Sequence, residues 1–155
     1  VRDILVRYKN IKKIYGYNID SYWSNISTVD AYYKTNMDFL NKDVRDYFFK
    51  QYPDVYSKID DLPPAKYNPG AHVKNSLISS GCIINGTVEN SIIFRGVHIG
   101  KGTVIKNSIV MQNSVVEENC DIENVVIDKE CTLRPSKRLV GQPSYPVILQ
   151  KRTLL

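Results

Sequence analysis

The sequence predicts a mainly β protein, a parallel β-helix made of stacked triangular coils. A short pattern is the main reason: an asparagine, a small or branched residue and two aliphatic residues recur at nearly constant intervals. The four copies occupy residues 75–78, 90–93, 107–110 and 124–127. Repetition at a nearly constant period indicates a structure in which each unit stacks on the one before.

A shorter spacing within each repeat identifies the kind of unit. Between Val73 and Leu133, aliphatic residues occur near every fifth or sixth position. An α-helix needs a period of about 3.6 residues, and a meander of hairpins needs turns between evenly spaced strands, so neither fits. A hexapeptide-repeat β-helix does fit, because each of its coils, of about 18 residues, consists of three short strands joined by tight corners.

Glycines and prolines are distributed as this fold requires. We expect positive φ angles at the glycines of the repeat region, because tight corners use that backbone conformation. These glycines are Gly81, Gly86, Gly96, Gly100 and Gly102. No proline lies between Ala71 and Arg134, which suits a segment whose N–H groups enter parallel strand ladders.

The charge distribution limits the classes of partner. Residues 135–155 carry four basic residues and no acidic one, and they account for most of the net charge of +5. These four are Lys137, Arg138, Lys151 and Arg152. So small a cluster lacks the long basic stripe and the interleaved aromatic residues of a nucleic-acid site. We therefore expect no nucleic-acid partner, and an anionic metabolite or an acidic protein surface instead.

The cysteines and the apolar runs indicate the compartment. Cys82, Cys120 and Cys131 match no metal-binding CxxC pattern, and they stand at repeat positions that suit small buried side chains. We expect reduced core thiols and hence a cytoplasmic location. No apolar run approaches the roughly 18 residues of a membrane helix, and no signal peptide is visible, so no membrane association is expected.

The residues before the repeat are predicted to form short elements. Strand-like runs are predicted at residues 4–6 and 11–17, although no partner strands are visible nearby. A helix is predicted from its N-cap, Thr28, to Leu40, and a second short amphipathic stretch covers residues 44–49. Proline and glycine clusters then indicate a linker into the β-helix.

Aromatic residues are concentrated in the same part of the chain. Ten of the eleven tyrosines and the single tryptophan lie in residues 1–70. Because these side chains have little core of their own to enter, we expect an exposed aromatic surface between Tyr8 and Phe49 that packs on a further N-terminal body.

Two parts of the sequence resemble bacterial glucose-1-phosphate adenylyltransferase (ADP-glucose pyrophosphorylase). Residues 22–37 are similar to the end of the nucleotidyltransferase domain of that family. Residues 91–100, 106–111 and 126–129 are similar to its C-terminal left-handed β-helix domain. The resemblance covers nearly the whole chain. It implies a left-handed parallel β-helix of hexapeptide repeats, preceded by an α/β remnant of a nucleotidyltransferase domain.

The resemblance also implies a division of the chain and a role. Residues 1–52 would be the C-terminal end of the nucleotidyltransferase domain, residues 53–70 a linker, and residues 71–155 the β-helix domain with a C-terminal tail. The family joins ATP and glucose 1-phosphate into ADP-glucose and pyrophosphate in glycogen biosynthesis. Its catalytic body carries a Gly-rich phosphate loop that has no counterpart in this sequence, so we expect this chain alone to be inactive.

One position departs from the pattern of the catalytic members. They read Trp-x-Asp-x-Gly-Thr, where the Asp helps to hold Mg²⁺, and the matching residues here are Trp23, Asn25, Ser27 and Thr28. An amide in place of a carboxylate removes a full negative charge from a site for a hard cation. We therefore expect no catalytic residue, no metal site and no cofactor in this chain, with Mg²⁺ belonging to a catalytic partner.

The C-terminal residues indicate a subunit type. Residues 138–143 and 146–148 resemble the second, GlgD-type subunit of the family, which partners the catalytic subunit and tunes it. The resemblance implies a regulatory, allosteric subunit. Its partner would be the catalytic adenylyltransferase, in a hetero- or homo-oligomer expected to be a tetramer.

Two cationic residues are candidates for binding a phosphorylated metabolite. Lys129 matches a lysine that contributes to activator binding in related plant enzymes, and an ammonium group offers three donors to a phosphate. Arg95 lies where the family's β-helix faces its catalytic domain, and a planar guanidinium suits phosphate or carboxylate. The alternatives are a solvated Lys129, flanked by Asp128 and Glu130, and a structural ion pair for Arg95.

Two further functions stay open on the sequence alone. The first is an active adenylyltransferase of which this chain is one part. The second is a trimeric hexapeptide-repeat acyltransferase, which would use His98 as general base and a pantetheine-bearing donor. Against the second, the sequence has no inserted loop of the kind that shapes an acyl-acceptor pocket.

Overall fold

The computed structural model describes residues 2–51, 56 and 60–155, and its main body is a parallel β-helix. Three parallel sheets, A, B and C, each contain five strands of two or three residues within the described part of the chain. Every coil contributes one strand to each sheet. The predicted mainly β fold is therefore confirmed.

The strands succeed one another in a fixed order around the coil. Sheet A contains β1 (Lys66–Tyr67), β4 (Ile83–Ile84), β7 (His98–Ile99), β10 (Val115–Val116) and β13 (Thr132–Leu133). Sheet B contains β2 (His72–Lys74), β5 (Thr87–Glu89), β8 (Val104–Lys106), β11 (Asp121–Glu123) and β14 (Arg138–Val140). Sheet C contains β3 (Leu77–Ile78), β6 (Ile92–Ile93), β9 (Ile109–Val110), β12 (Val125–Ile127) and β15 (Val147–Leu149).

Most coils have the same number of residues, but one coil is shorter and one is longer. Equivalent positions of neighbouring coils are usually 17 residues apart, as Ser91 and Ser108 are. The separation is 15 residues between Ser76 and Ser91, because the chain passes from β4 to β5 without the turn that other coils have there. It is 22 residues between Glu130 and Arg152, because a loop is inserted after β14. The expected length of about 18 residues was therefore slightly too large.

The β-helix begins earlier in the chain than the predicted division places it. Lys66 and Tyr67 pair with Ile83 and Ile84, so strand pairing starts inside residues 53–70, which were expected to form a linker. Tight proline-containing turns do not prevent this, because Pro69 stands in a corner and donates no ladder hydrogen bond. The predicted boundary between residues 52 and 53 lies outside the described residues.

The core is the interior of the prism. The inward-facing aliphatic residues of the middle coils are fully buried, and each stabilises the fold by about 1.5–3 kcal/mol relative to an exposed position. They include Ile84, Ile93, Ile99, Ile105, Val110, Val116, Ile122, Ile127 and Leu133. Cys82, Cys120 and Cys131 are buried free thiols, as predicted, and burial raises the pKa of Cys82 and Cys131.

The asparagine and serine of the repeated pattern have separate structural roles. Asn75, Asn90 and Asn107 have φ angles of 43°, 46° and 46°, in the left-handed region that asparagine tolerates better than most residues. The hydroxyl of the serine that follows accepts the N–H of the next coil: Ser91 Oγ accepts from Ser108 at 3.1 Å, and Ser108 Oγ accepts from Val125 at 3.1 Å. The repeat therefore supplies a corner and a buried hydrogen-bond ladder.

Two glycines are required for a reason other than the one expected. Gly81, Gly96 and Gly102 have positive φ, as predicted, but Gly86 and Gly100 do not. A Cβ at Gly100 would lie 2.5 Å from the carbonyl carbon of Glu117, and one at Gly86 would lie 2.3 Å from the carbonyl oxygen of Thr103. At these two positions the next coil passes too close for any side chain.

The N-terminal elements are helical where strands were expected. Residues 4–6 lie in α1 (Arg2–Tyr8), and residues 11–17 contain no strand. The strand predictions were wrong because a strand needs a partner ladder, and none is present here within the described residues. The backbone up to Lys12 instead forms local hydrogen bonds, such as Lys12 N–H to Tyr8 O at 2.9 Å.

The two predicted helical segments are confirmed. The hydroxyl of Thr28 accepts from Ala31 N–H at 3.1 Å and caps α2 (Val29–Asp38). The next helix, α3 (Lys42–Asp46), is capped by Asn41 and continues as a π-helical turn (Tyr47–Gln51).

Helix α2 packs on the outer face of sheet C. Tyr33 is 8% exposed and packs with Ile109 and Val126, and its hydroxyl donates to the carbonyl oxygen of Asn107 at 2.6 Å. Burial raises the pKa of Tyr33. The expectation that these aromatic side chains have little of this chain to pack against was therefore wrong for α2. It is right for Tyr17 and Trp23, which are 90% and 70% exposed.

We predict that Gly100→Ala lowers the free energy of unfolding by about 2 kcal/mol, because the new methyl group overlaps backbone atoms of the next coil. Gly16→Ala is the matched control, since a Cβ at Gly16 meets no atom within 4 Å. Urea denaturation measures both variants. Equal stability of the two would contradict the close coil contact.

We predict that Tyr33→Phe accelerates amide hydrogen exchange in residues 29–38 about fivefold, because it removes a hydrogen bond to Asn107 that contributes about 1 kcal/mol. Tyr17→Phe removes the same hydroxyl from an exposed ring and should leave that exchange unchanged. Indistinguishable exchange in the two variants would mean that the Tyr33 hydroxyl does not hold α2 on sheet C.

Candidate effector site

One edge of the β-helix, at the corner between sheets C and A, collects side chains from successive coils. A backbone ladder sets their alignment: Asn113 N–H donates to Arg95 O at 3.1 Å, Glu130 N–H to Gln112 O at 3.0 Å and Arg152 N–H to Lys129 O at 3.0 Å. Equivalent turn positions therefore stack. We call the cations on this edge, Arg95, Lys129, Lys151 and Arg152, the cationic edge.

The turn geometry is the same in each coil of this edge. The second turn residue has a left-handed backbone in every coil, with φ angles from 57° to 74°. These residues are Gly81, Gly96, Asn113, Glu130 and Arg152. Because the turn is constant, the preceding residue occupies an equivalent place in each coil, and there the sequence has Ser80, Arg95, Gln112, Lys129 and Lys151.

Arg95 and Lys129 line one cleft on the cationic edge. The cleft has a volume of about 350 Å³. Its lining residues are Asp60, Leu62, Arg95, Gln112, Asn113, Lys129 and Glu130. Arg95 and Lys129 stand two coils apart, and adjacent strands are spaced about 4.8 Å, so the two backbone positions are separated by roughly 10 Å.

Two carboxylates accompany the cations. Arg95 Nη1 contacts Asp60 Oδ2 at 2.5 Å. Glu130 contacts Arg152 Nε at 2.6 Å and Lys151 Nζ at 3.4 Å, and the hydrogen bond from Arg152 holds the pKa of Glu130 below its ordinary value. Among the residues that the structure describes, the exposed Lys129 ammonium enters no ion pair. The cleft therefore offers an anion one uncompensated cation beside a paired one.

Asn25 lies on an exposed segment that is attached to α2. Tyr22 hydroxyl donates to Asp38 at 2.8 Å on one side of Asn25, and the hydroxyls of Ser24 and Thr35 form a hydrogen bond. Over the described ranges, no group of three or more His, Cys, Asp or Glu residues could hold a metal ion. The position of the segment that carries Asn25 is thus set by its contacts with α2, and the position of α2 is set by its packing on the β-helix.

His98 lines a different cleft, of about 570 Å³, together with Asn85 and Val115. Its Nε2 atom lies 3.2 Å from the amide nitrogen of Asn85, which also donates to the carbonyl oxygen of Ile99 at 2.9 Å. An amide donor at Nε2 requires that nitrogen to accept, so it places the ring proton on Nδ1. His98 therefore does not join Arg95 and Lys129 in one site.

Comparison with known proteins gives the family. Residues 63–144 match a family model described as GlmU-like, C-terminal hexapeptide, which is more than half of the chain. This chain belongs to that hexapeptide family.

The similar proteins include a glycogen biosynthesis protein and glucose-1-phosphate adenylyltransferases. The glycogen biosynthesis protein GlgD of Bacillus subtilis is 38% identical over 135 residues, which are 87% of this chain and 39% of that protein. The glucose-1-phosphate adenylyltransferase of Geobacillus stearothermophilus is 38% identical over 95 residues, 61% of this chain and 24% of that enzyme. The one of Desulfitobacterium hafniense (strain DSM 10664 / DCB-2) is 32% identical over 128 residues, 83% of this chain and 32% of that enzyme.

These similarities confirm the resemblance inferred from the residues. The chain spans about two fifths or less of the length of the relatives named here. No helix within the described residues has the length and apolar character needed to cross a bilayer.

The hexapeptide sequence pattern did not place Lys151 and Arg152 on the cationic edge, nor Asp60 beside it. Lys151 and Arg152 follow β15, a further aliphatic strand, but the insertion before it lengthens the interval and obscures the repeat. Asp60 was placed in a linker and given no role. No local signal in the sequence shows that it meets Arg95, which is 35 residues away.

Proposed function

We propose that this chain is the C-terminal regulatory and oligomerisation region of a glucose-1-phosphate adenylyltransferase subunit in glycogen biosynthesis, of the non-catalytic GlgD type. The reaction served by the assembly is ATP plus glucose 1-phosphate giving ADP-glucose plus pyrophosphate. The similarity to GlgD over 87% of the chain supports this assignment.

The observation that carries the regulatory assignment is the amide of Asn25 in a segment attached to the β-helix. A catalytic subunit needs a carboxylate there to bind Mg²⁺, because hard cations prefer charged oxygen ligands. Here the segment is attached to α2 through Tyr22 and Asp38, and α2 contacts sheet C. The segment is thus fixed to the β-helix but lacks the charge at Asn25.

The proposed effector is a phosphorylated metabolite bound at the cationic edge. Arg95 offers a planar pair of donors, and Lys129 offers an ammonium group without a described ion pair. The cleft of about 350 Å³ is of the size that small-molecule sites have. Gln112, between the two cations in the stack, adds an amide that can donate to hydroxyl or phosphate oxygen.

The proposed partner is a catalytic adenylyltransferase subunit in the cytoplasm, with Mg²⁺ held by that partner. The proposed assembly is a tetramer that contains both subunit types. The exposed apolar residues between Ile4 and Trp23 support burial against further protein in the whole assembly.

We predict that Lys129→Gln in the full-length polypeptide weakens the effector response of a mixture with a catalytic adenylyltransferase about tenfold, because a neutral amide replaces the ammonium group that meets the phosphate. ADP-glucose formation is measured against the concentration of inorganic phosphate, glucose 6-phosphate and fructose 1,6-bisphosphate. Lys101→Gln, an exposed turn lysine on another edge, is the matched control and should behave as the unmodified protein does.

A mixture whose rate and effector response do not depend on adding this protein would contradict the regulatory role. A response that Lys129→Gln and Lys101→Gln alter equally would contradict the proposed site but leave the regulatory role standing.

A further inference from the structure

We propose that the carboxylate of Asp60 is a built-in competitor for the effector's phosphate group, and that displacing it releases the segment that leads into the β-helix. This inference rests on the proposed function, since it concerns the regulation of the same cleft. It assigns Asp60 a role as an internal ligand of Arg95, which an incoming anion must replace.

The contact between the two residues is strong and partly shielded from water. Arg95 Nη1 lies 2.5 Å from Asp60 Oδ2, and the side chains are 26% and 35% exposed. A charge-assisted hydrogen bond of this kind is roughly twice as strong as a neutral one, which is about the interaction a phosphate oxygen would make with the same guanidinium. The carboxylate therefore imitates the ligand.

The position of Asp60 makes competition unavoidable. Asp60, Arg95 and Lys129 line one cleft. A phosphate that bridges Arg95 and Lys129 comes within a few ångströms of the Asp60 carboxylate, and like charges at about 4 Å repel by at least about 1 kcal/mol even in water. Anion binding and the Asp60–Arg95 ion pair therefore weaken each other.

The segment of residues 60–65 is attached to the β-helix at further points. Pro63 O accepts from Gly81 N–H at 2.6 Å, and the side chain of Leu62 lies over Gly81, where a Cβ would come within 3.1 Å of Leu62 Cδ1. Ala65 packs on the core of the prism, and the parallel ladder begins at Lys66, whose N–H donates to Cys82 O at 2.8 Å. The contact between Asp60 and Arg95 lies at the start of the segment, so its loss loosens that end first.

The consequence is a coupling between anion binding and the path of the chain. Residues 60–65 lie between the helical part of the chain and the first coil. Their release therefore changes how freely the helical part can move relative to the first coil. A ligand shifts such an equilibrium by its preference for one state, and here the phosphate binds more tightly when Asp60 has left Arg95.

The experiment compares four forms of the full-length polypeptide: unmodified, Asp60→Asn, Asp61→Asn and Lys129→Gln. Isothermal titration calorimetry with inorganic phosphate at constant ionic strength gives the affinity. We predict that Asp60→Asn binds phosphate at least about fivefold more tightly, because its competitor is gone. Asp61→Asn, the same charge change one residue away and outside the cleft lining, should change the affinity less than about twofold.

Hydrogen exchange of a peptide containing Gly81 reports on the segment directly, since its N–H is bonded to Pro63 O. We predict that phosphate accelerates this exchange in the unmodified protein, and that Asp60→Asn shows the faster exchange without phosphate. Asp61→Asn should retain the slow exchange and its response to phosphate.

The outcomes separate the two proposals. If phosphate binds, Lys129→Gln abolishes the binding, and Asp60→Asn binds no more tightly than Asp61→Asn, the competitor role is overturned and the effector site stands. If phosphate binds no form, or if Lys129→Gln binds it unchanged, the effector site itself is overturned, and the role of Asp60 with it.

Discussion

The hydrogen-bonded register between successive coils is the constraint on which the rest of the structure depends. This register recurs at a constant interval in most of the prism. At the corners it requires residues that accept a left-handed backbone, and at the closest approaches it requires residues without a side chain, which leave room for the next coil. Asn107 turns the chain, Ser108 bridges to the next coil, and Gly100 lets that coil pass. Because equivalent positions stack, two cations separated by two periods, Arg95 and Lys129, line one cleft.

The same register connects the cationic edge with the segment that carries Asn25. Tyr33 donates to the corner carbonyl of Asn107 and packs between strands of sheet C, and β12 of that sheet leads directly into Lys129. Asp128, beside Lys129, acts electrostatically on Tyr32 of α2, whose pKa is raised mainly by burial. Helix α2 is attached to one face of the prism, and the ion pair between Asp60 and Arg95 joins residues 60–65 to its edge. Binding can act on the chain through both contacts.

The sequence repeat makes the architecture of the coils predictable. It does not predict tertiary contacts between residues that lie far apart in the chain. Period and aliphatic spacing specify the coils, the buried thiols and the alignment of Arg95 with Lys129, because each depends on local sequence repeated in register. The packing of Tyr33, which is 74 residues from Asn107, has no such signal, and neither has the ion pair of Asp60. The strand prediction for residues 4–6 failed because β propensity alone does not supply a partner strand.

Formation of ADP-glucose by the full-length polypeptide alone, supplied with ATP, glucose 1-phosphate and Mg²⁺, tests the assignment as a regulatory subunit. Asn25→Asp is assayed in parallel to ask whether the missing carboxylate limits the reaction. We predict no formation above background by the unmodified protein. Formation at a rate comparable to that of a catalytic adenylyltransferase would show that an amide at this position is tolerated, and would contradict the assignment as a regulatory subunit.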